Sequence, residues 1–120
     1  MVKLFTHTDL DGIGCAILGN IAFSEIEIEY CGYDDINEKV EAFLDSGEKC
    51  DQCYITDISI SMDLAERINK INHLYSFRLL DHHKTAYGLN QYSWCHVREK
   101  EGDQSPLTCG TVTFFFDTTI

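Results

Sequence analysis

Strand-length apolar runs, separated by stretches of helical period, constrain this chain more than any other feature. Residues 2–6, 52–57 and 75–80 are three such runs. A fourth segment alternates Ile26, Ile28 and Tyr30 with Glu25, Glu27 and Glu29, the period of a half-exposed edge strand. Between the strands lie helical stretches. Gly12 and Gly14 open one that runs to about Phe23, with Ile13, Ala16, Ile17 and Ile21 near helical spacing. Asp35 caps a second near 36–46, closed by Gly47, and its apolar positions are Ile36, Val40, Phe43 and Leu44. Ser61 caps a third, with Leu64, Ala65, Ile68 and Ile71 as its buried stripe. Alternation of this kind predicts an α/β fold: a doubly wound, mainly parallel sheet of about four strands with helices on both faces. The expected strand order is 2-1-3-4. The segment 84–107 reads as irregular, with Trp94 as an anchor and a polar loop over 99–106. Thr108-Cys109-Gly110-Thr111 then begins a last helix or strand over 112–116.

Each of the three apolar runs ends on polar residues. The first meets His7-Thr8-Asp9-Leu10-Asp11-Gly12, the second meets Asp57, and the third meets Asp81-His82-His83. In open α/β sheets, ligands bind outside the carboxyl ends of the strands. The predicted order places Asp9 and Asp11 beside Asp57, and Asp57 beside His82. Carboxylates and imidazoles together suit Mn²⁺, and to a lesser degree Mg²⁺, Co²⁺ or Zn²⁺. An aspartate bridging two ions holds them about 3.5–4 Å apart, and Asp57 on the central strand is placed for that role. Taken singly, Asp11-Gly12 is an ordinary turn, Asp57 an ordinary helix cap and His82-His83 an ordinary surface pair. Together, three unrelated polar clusters would have to fall at three strand ends by accident. His73 and His96 follow no strand in this pattern and carry no such expectation.

The formal charge is -11 over 120 residues. Broad binding of long nucleic acid needs many Lys and Arg against phosphates, so this charge argues against it. A small phosphorylated substrate held by metal is still compatible, because two divalent ions add about +4 locally. No apolar run approaches the roughly 18 residues of a membrane span, and the first residues do not resemble a signal peptide. A soluble cytoplasmic protein of one domain is expected. Six cysteines are present. Cys50-Asp51-Gln52-Cys53 has zinc-ligand spacing, but its only candidate partner pair, Cys95-His96, is adjacent rather than spaced. Cys15, Cys31 and Cys53 read instead as small hydrophobes on apolar faces.

At the strand ends the chain resembles the DHH phosphoesterases in their RecJ-like form. His7-Thr8-Asp9-Leu10-Asp11-Gly12 looks like the first family motif and Ile55-Thr56-Asp57 the second. Leu80-Asp81-His82-His83-Lys84-Thr85-Ala86 looks like the third, and Thr108-Cys109-Gly110-Thr111 is similar to the Ser-Gly-Thr segment. The Lys84-Thr85-Ala86 extension and Tyr33-Asp34-Asp35-Ile36 point to the oligoribonuclease, or nanoRNase, branch. The resemblance implies a first Mn²⁺ at His7 and Asp9, a second at Asp11 and His82, and Asp57 bridging them. It implies that Asp81 orients an imidazole and that His83 meets the substrate phosphate. It implies also that the Gly110-Thr111 helix start offers N–H groups to a phosphate.

The implied activity is metal-dependent hydrolysis of short oligoribonucleotides or small nucleotides, with cyclic dinucleotides and phosphoadenosine phosphate as alternative substrates. The family carries a further metal-binding aspartate on a strand after the Ser-Gly-Thr helix, and a C-terminal substrate-binding domain. Residues 1–120 match a DHH domain up to that helix. The expectation is therefore a truncated domain, with its second metal site short of a ligand and very weak or absent cleavage. A catalytically weak or inactive remnant or metal-binding partner is the alternative. A phospho-receiver domain would also use Asp9, Asp11 and Asp57, but it leaves Asp81-His82-His83 unexplained.

Overall fold

The computed structural model describes residues 1–99 and 108–119. Five parallel strands form one sheet in the order β2-β1-β3-β4-β5. These are β1 (Val2–His7), β2 (Ile26–Cys31), β3 (Gln52–Thr56), β4 (Phe77–Asp81) and β5 (Cys95–Val97). Four α-helices accompany them: α1 (Leu10–Ala22), α2 (Ile36–Ser46), α3 (Met62–Tyr75) and α4 (Gly110–Thr119). A 3₁₀ helix spans Lys84–Gln91. The expected order of the first four strands is the one found, with β1 and β3 side by side at the centre and β2 at an edge.

Strands covered on both faces read as continuous apolar runs, and β1, β3 and β4 do so because each side chain meets a helix layer. Phe5, Ile55 and Leu79 point into one core with Val40 and Phe43 of α2 and Leu64 and Ile68 of α3. Leu4, Tyr54 and Leu80 point the other way, onto Cys15 of α1 and Phe114 of α4. Leu4 and Phe5 are wholly buried, and burial of each contributes roughly 1.5–3 kcal/mol.

Helix α1 departs from its expected stripe. Ile13, Ile17 and Ile21 are exposed, and the residues against the sheet are Gly12, Cys15, Ala16 and Gly19. The cause is close approach. A Cβ on Gly19 would come within 2.7 Å of Ile26 Cδ1, and one on Gly12 within 1.9 Å of the His7 carbonyl oxygen. Small residues, not branched ones, let this helix lie on its sheet.

Two boundaries also move. Tyr75, expected to open a strand, closes α3 instead, because Ser76 takes the left-handed conformation and donates its N–H to the Asn72 carbonyl. The stretch expected to be irregular contains the 3₁₀ helix and the three-residue β5. Trp94 anchors it as expected: it is buried, packs on Phe77 and Tyr92, and donates its indole N–H to Asn69 at 3.1 Å. The loop expected over 99–106 lies, apart from Glu99, outside the described residues. The last element is a helix, α4. Among the described residues, no helix is long and apolar enough to cross a membrane.

Candidate metal centre

Parallel strands with a common direction end on the same edge of the sheet, so the three polar clusters meet there. β1 delivers His7. Asp9 caps α1, accepting the Gly12 N–H at 2.9 Å on one oxygen and leaving the other beside His7. Asp57 follows β3 and is wholly buried, with φ of 62°. A left-handed aspartate is uncommon, and such residues persist only where their surroundings hold them. Here the Asp57 N–H donates to the Leu80 carbonyl at 2.9 Å. β4 delivers Asp81, His82 and His83.

His82 Nε2 lies 2.9 Å from Asp57 Oδ1 and 3.5 Å from Asp11 Oδ2. On the other side His7 Nδ1 lies 3.0 Å from Asp9 Oδ2 and 3.8 Å from Asp57 Oδ2. Two sets of possible ligands result: His7, Asp9 and Asp57, and Asp57, Asp81, His82 and His83. In each, one ligand atom per residue lies within 4.8 Å of the others. Asp57 belongs to both.

The remaining expected residues are engaged with protein. Asp81 is buried and fully hydrogen-bonded: it accepts from His83 Nδ1 at 2.7 Å, the His82 N–H at 2.8 Å and the Ser59 hydroxyl at 2.6 Å. Nδ1 of His83 is tied to Asp81, and the His83 side chain is partly exposed. Asp11 accepts the N–H of Gly110 at 2.6 Å and of Thr111 at 2.9 Å, and the Thr111 hydroxyl at 2.6 Å. The amides of Gly110 and Thr111, expected to serve a substrate phosphate, are therefore turned to Asp11 in this structure. The positive end of α4 already has its anion, and that anion is a side chain of α1.

Three carboxyl groups in one crevice cannot all ionise cheaply. Burial, then the neighbouring carboxylates of Asp11 and Asp9, push Asp57 up to about 10. Burial works in the same sense on Asp11, but closeness to Asp57 and the donors of Thr111 and Gly110 outweigh it and hold Asp11 well below the usual carboxylate range. Asp9 is lowered too: burial is outweighed by Asp57, the Gly12 amide and His7. The metal-free centre thus keeps one proton, on Asp57, between two ionised neighbours.

The fit to a divalent ion shows in what is left over. Two buried side-chain atoms among the described residues make no well-aligned hydrogen bond: His7 Nδ1, which has Asp9 Oδ2 at 3.0 Å, and Asp57 Oδ2. Buried polar atoms without partners are costly and rare, and these two face one another across a space edged by Asp9. An imidazole nitrogen and carboxylate oxygens are the donor set that Mn²⁺ or a similar ion accepts.

Several contributors were given no role at the site by the sequence, although Tyr33 and Thr56 stand within its motifs. Tyr33 sets its ring 4.7 Å from that of His7, and Ser59 braces Asp81. Thr6 and Thr56, side by side on β1 and β3, join by a hydroxyl hydrogen bond of 2.9 Å beneath the crevice.

The chain was compared with known proteins. No family model matches it. Oligoribonuclease NrnB of Bacillus subtilis (strain 168) is 37% identical over an alignment of 116 residues that covers 92% of this chain and 29% of that protein. The chain therefore spans less than a third of the length of this relative. Among solved structures, an uncharacterized protein from Helicobacter pylori G27 superposes with a TM-score of 0.77 at 20% identity. The match covers 98% of this chain and 35% of the other. That second likeness shows the α/β fold alone.

Proposed function

Because the chain belongs to the DHH phosphoesterase family, over a stretch matching part of a longer oligoribonuclease, we propose that its strand-end cluster is the Mn²⁺ centre of a hydrolase cleaving phosphodiester bonds in short RNA. The observation that carries this reading is the pair of unpartnered buried atoms, His7 Nδ1 and Asp57 Oδ2, flanked by two ionised aspartates. His7, Asp9 and Asp57 would hold one ion. Asp57 and His82, with Asp11 at hand, would hold the other. Mg²⁺ or Co²⁺ would suit the same oxygen and nitrogen donors.

Divalent ions at such a centre supply Lewis acidity and bring a water's pKa towards neutrality. The protein's own residues do the rest. Asp57 gives up its proton on loading, since a ligand must be deprotonated. Asp81 holds the His83 ring through the 2.7 Å contact at Nδ1, which would leave Nε2 to meet a substrate oxygen. Asp11 ties α1 to α4 across the mouth. The net charge of -11 leaves the neutralised centre as the place where a phosphate is welcome, which favours short substrates over long ones.

Calorimetric titration with Mn²⁺, followed by hydrolysis of di- to pentaribonucleotides with Mn²⁺ or chelator, tests the proposal. Binding lost in Asp57→Ala and cleavage dependent on Mn²⁺ are expected. A chain that neither binds Mn²⁺ nor cleaves short RNA in its presence would overturn it.

A further inference from the structure

A cavity of about 500 Å³ opens beside the centre and shares two residues with it, Asp81 and His83. The proposed function assigns it no role. Its floor is apolar: Ile60, Ala86 and Leu89 are buried there. Its walls are Tyr33 and Met62, both exposed. The geometry points to a nucleobase subsite: a nucleotide whose phosphate lies at the centre places its base in this cavity, against Tyr33 and Met62. This inference rests on the phosphodiesterase reading and adds to it where the base goes.

Charge decides against a second phosphate. Among the described residues no lysine or arginine lines the cavity, and Asp81 borders it. A second anion would meet no cation there, in a chain already at -11. A neutral, flat group is what the lining accepts. An aromatic ring and a polarisable thioether are suitable surfaces for it, because every base has a π-face. Polar atoms for the base edge are few, as in most small-molecule sites. The Ser59 hydroxyl is committed to Asp81. Ser61 accepts the Leu64 N–H and keeps its own hydrogen to donate. Thr85 adds a second hydroxyl to the lining.

Tyr33 links cavity and centre. It stands in the turn before α2, where Asp35 accepts the Gly32 N–H at 2.7 Å and Ile36 donates to the Gly32 carbonyl at 3.0 Å. Its ring leans on His7 at 4.7 Å with a tilt of 47°. A base stacked on Tyr33 would therefore sit next to a residue of the centre, in the cavity that His83 also lines.

Gly88 provides the means of testing this. It lines the cavity from the 3₁₀ helix, and a Cβ there would meet only Met62 Sδ, at 3.9 Å. Gly88→Phe should fill the cavity while leaving the strand ends untouched. The readouts are Mn²⁺ titration, binding of adenosine monophosphate and of ribose phosphate to the Mn²⁺-loaded protein, and NMR shifts of the Met62, Ala86 and Leu89 methyls. Adenosine monophosphate is expected to shift those methyls and ribose phosphate to leave them still. Gly88→Phe and Tyr33→Ala should each weaken adenosine monophosphate by about tenfold, with Mn²⁺ titration of Gly88→Phe unchanged. Equal affinity for the two phosphates, or full affinity in both variants, overturns the subsite. Should the chain bind no Mn²⁺, the phosphodiesterase reading fails separately, and adenosine without phosphate then decides the cavity. Methyl shifts uphold the subsite and still methyls refute it.

Discussion

The two sides of the centre are built from the same residue types and are in opposite states. On one side, His7 and Asp57 hold buried atoms without partners. On the other, Asp11 receives two backbone N–H groups and a hydroxyl from α4. The first side stores unsatisfied polarity that the proposed cation would relieve. The second spends its carboxylate on joining two helices. A single aspartate, Asp57, stands between them, wholly buried and left-handed. The difference teaches that a carboxylate in a crevice is not by that fact available to a metal: its other hydrogen bonds decide what it costs to recruit.

The largest expected effect breaks both sides at once. Asp57→Ala removes the residue common to the two ligand sets. Loss of a group that merely orients a ligand typically costs 10–100-fold in metal affinity, so Mn²⁺ affinity should fall by about 100-fold or more in calorimetry. Asp57→Ala that binds Mn²⁺ like the parent would dissolve the comparison, since nothing would then link the sides.

Next comes the Asp11 side, which should matter to stability without any metal. Asp11→Ala strips α4 of a charged acceptor, and hydrogen bonds to charged groups contribute about 1.5–3 kcal/mol each. A loss on that order is expected in urea unfolding of the metal-free protein. Gly110→Ala should act on the same joint, because its Cβ would stand 2.7 Å from Asp57 Cβ and 3.0 Å from Asp11 Oδ2. Overpacking of this kind costs roughly 1–3 kcal/mol. Unchanged unfolding midpoints for both variants would show that Asp11 is as free as His7.

Acidity sharpens the contrast further. The folded chain holds the Asp57 proton up to about 10, against an ordinary value of 3.8. The folded state thus binds a proton that the unfolded chain has released. This contribution is fully present below the unfolded value, declines as pH rises, and is gone above the folded one. Asp9 and Asp11 run the other way, with contributions present above their ordinary value and lost on acidification. In chelator, Asp57→Asn should flatten the fall in urea midpoint across the neutral and alkaline range. At neutral pH, Mn²⁺ uptake by the parent should release about one proton from Asp57, readable from calorimetry in buffers of different ionisation enthalpy. Proton-independent uptake would place the proton elsewhere.

The smallest effect is the counterpart of the Asp11 test. His7→Ala in the metal-free protein should cost about 1 kcal/mol, less than Asp11→Ala, because it loses the 3.0 Å contact of Nδ1 with Asp9 and the ring contact with Tyr33 but no aligned backbone hydrogen bond. The same variant should weaken Mn²⁺ clearly. A destabilisation as large as that of Asp11→Ala would mean that the His7 side, too, is structural.

Much of this architecture was legible before any coordinates. Residues such as Leu4, Phe5, Ile55, Leu79 and Leu80 announce strands buried on both faces, and the polar residues that stop them mark the edge where ligands gather. The expected order β2-β1-β3-β4 is the one found, but alternation dictates only a parallel sheet and not its order. Other features gave no such sign. β5 is three residues long, too short for a period to show. Apolar Ile13, Ile17 and Ile21 suggest a buried stripe on α1, yet glycine, alanine and cysteine line its inner face, because contact distance and not hydrophobicity chose that face.

What the sequence determined by itself is which side chains stand at the strand ends, since strand direction and the alternation of apolar runs are local properties. Only the tertiary structure decided which of their atoms are spoken for. Asp11 is satisfied by Gly110 and Thr111, some hundred residues further along the chain, whereas among the described residues nothing reaches His7 Nδ1 or Asp57 Oδ2 in hydrogen-bond alignment. A hydrogen bond needs its partner within about 3 Å and well aligned, and for residues so far apart in sequence that condition is met, or missed, only when the helices and the sheet come together.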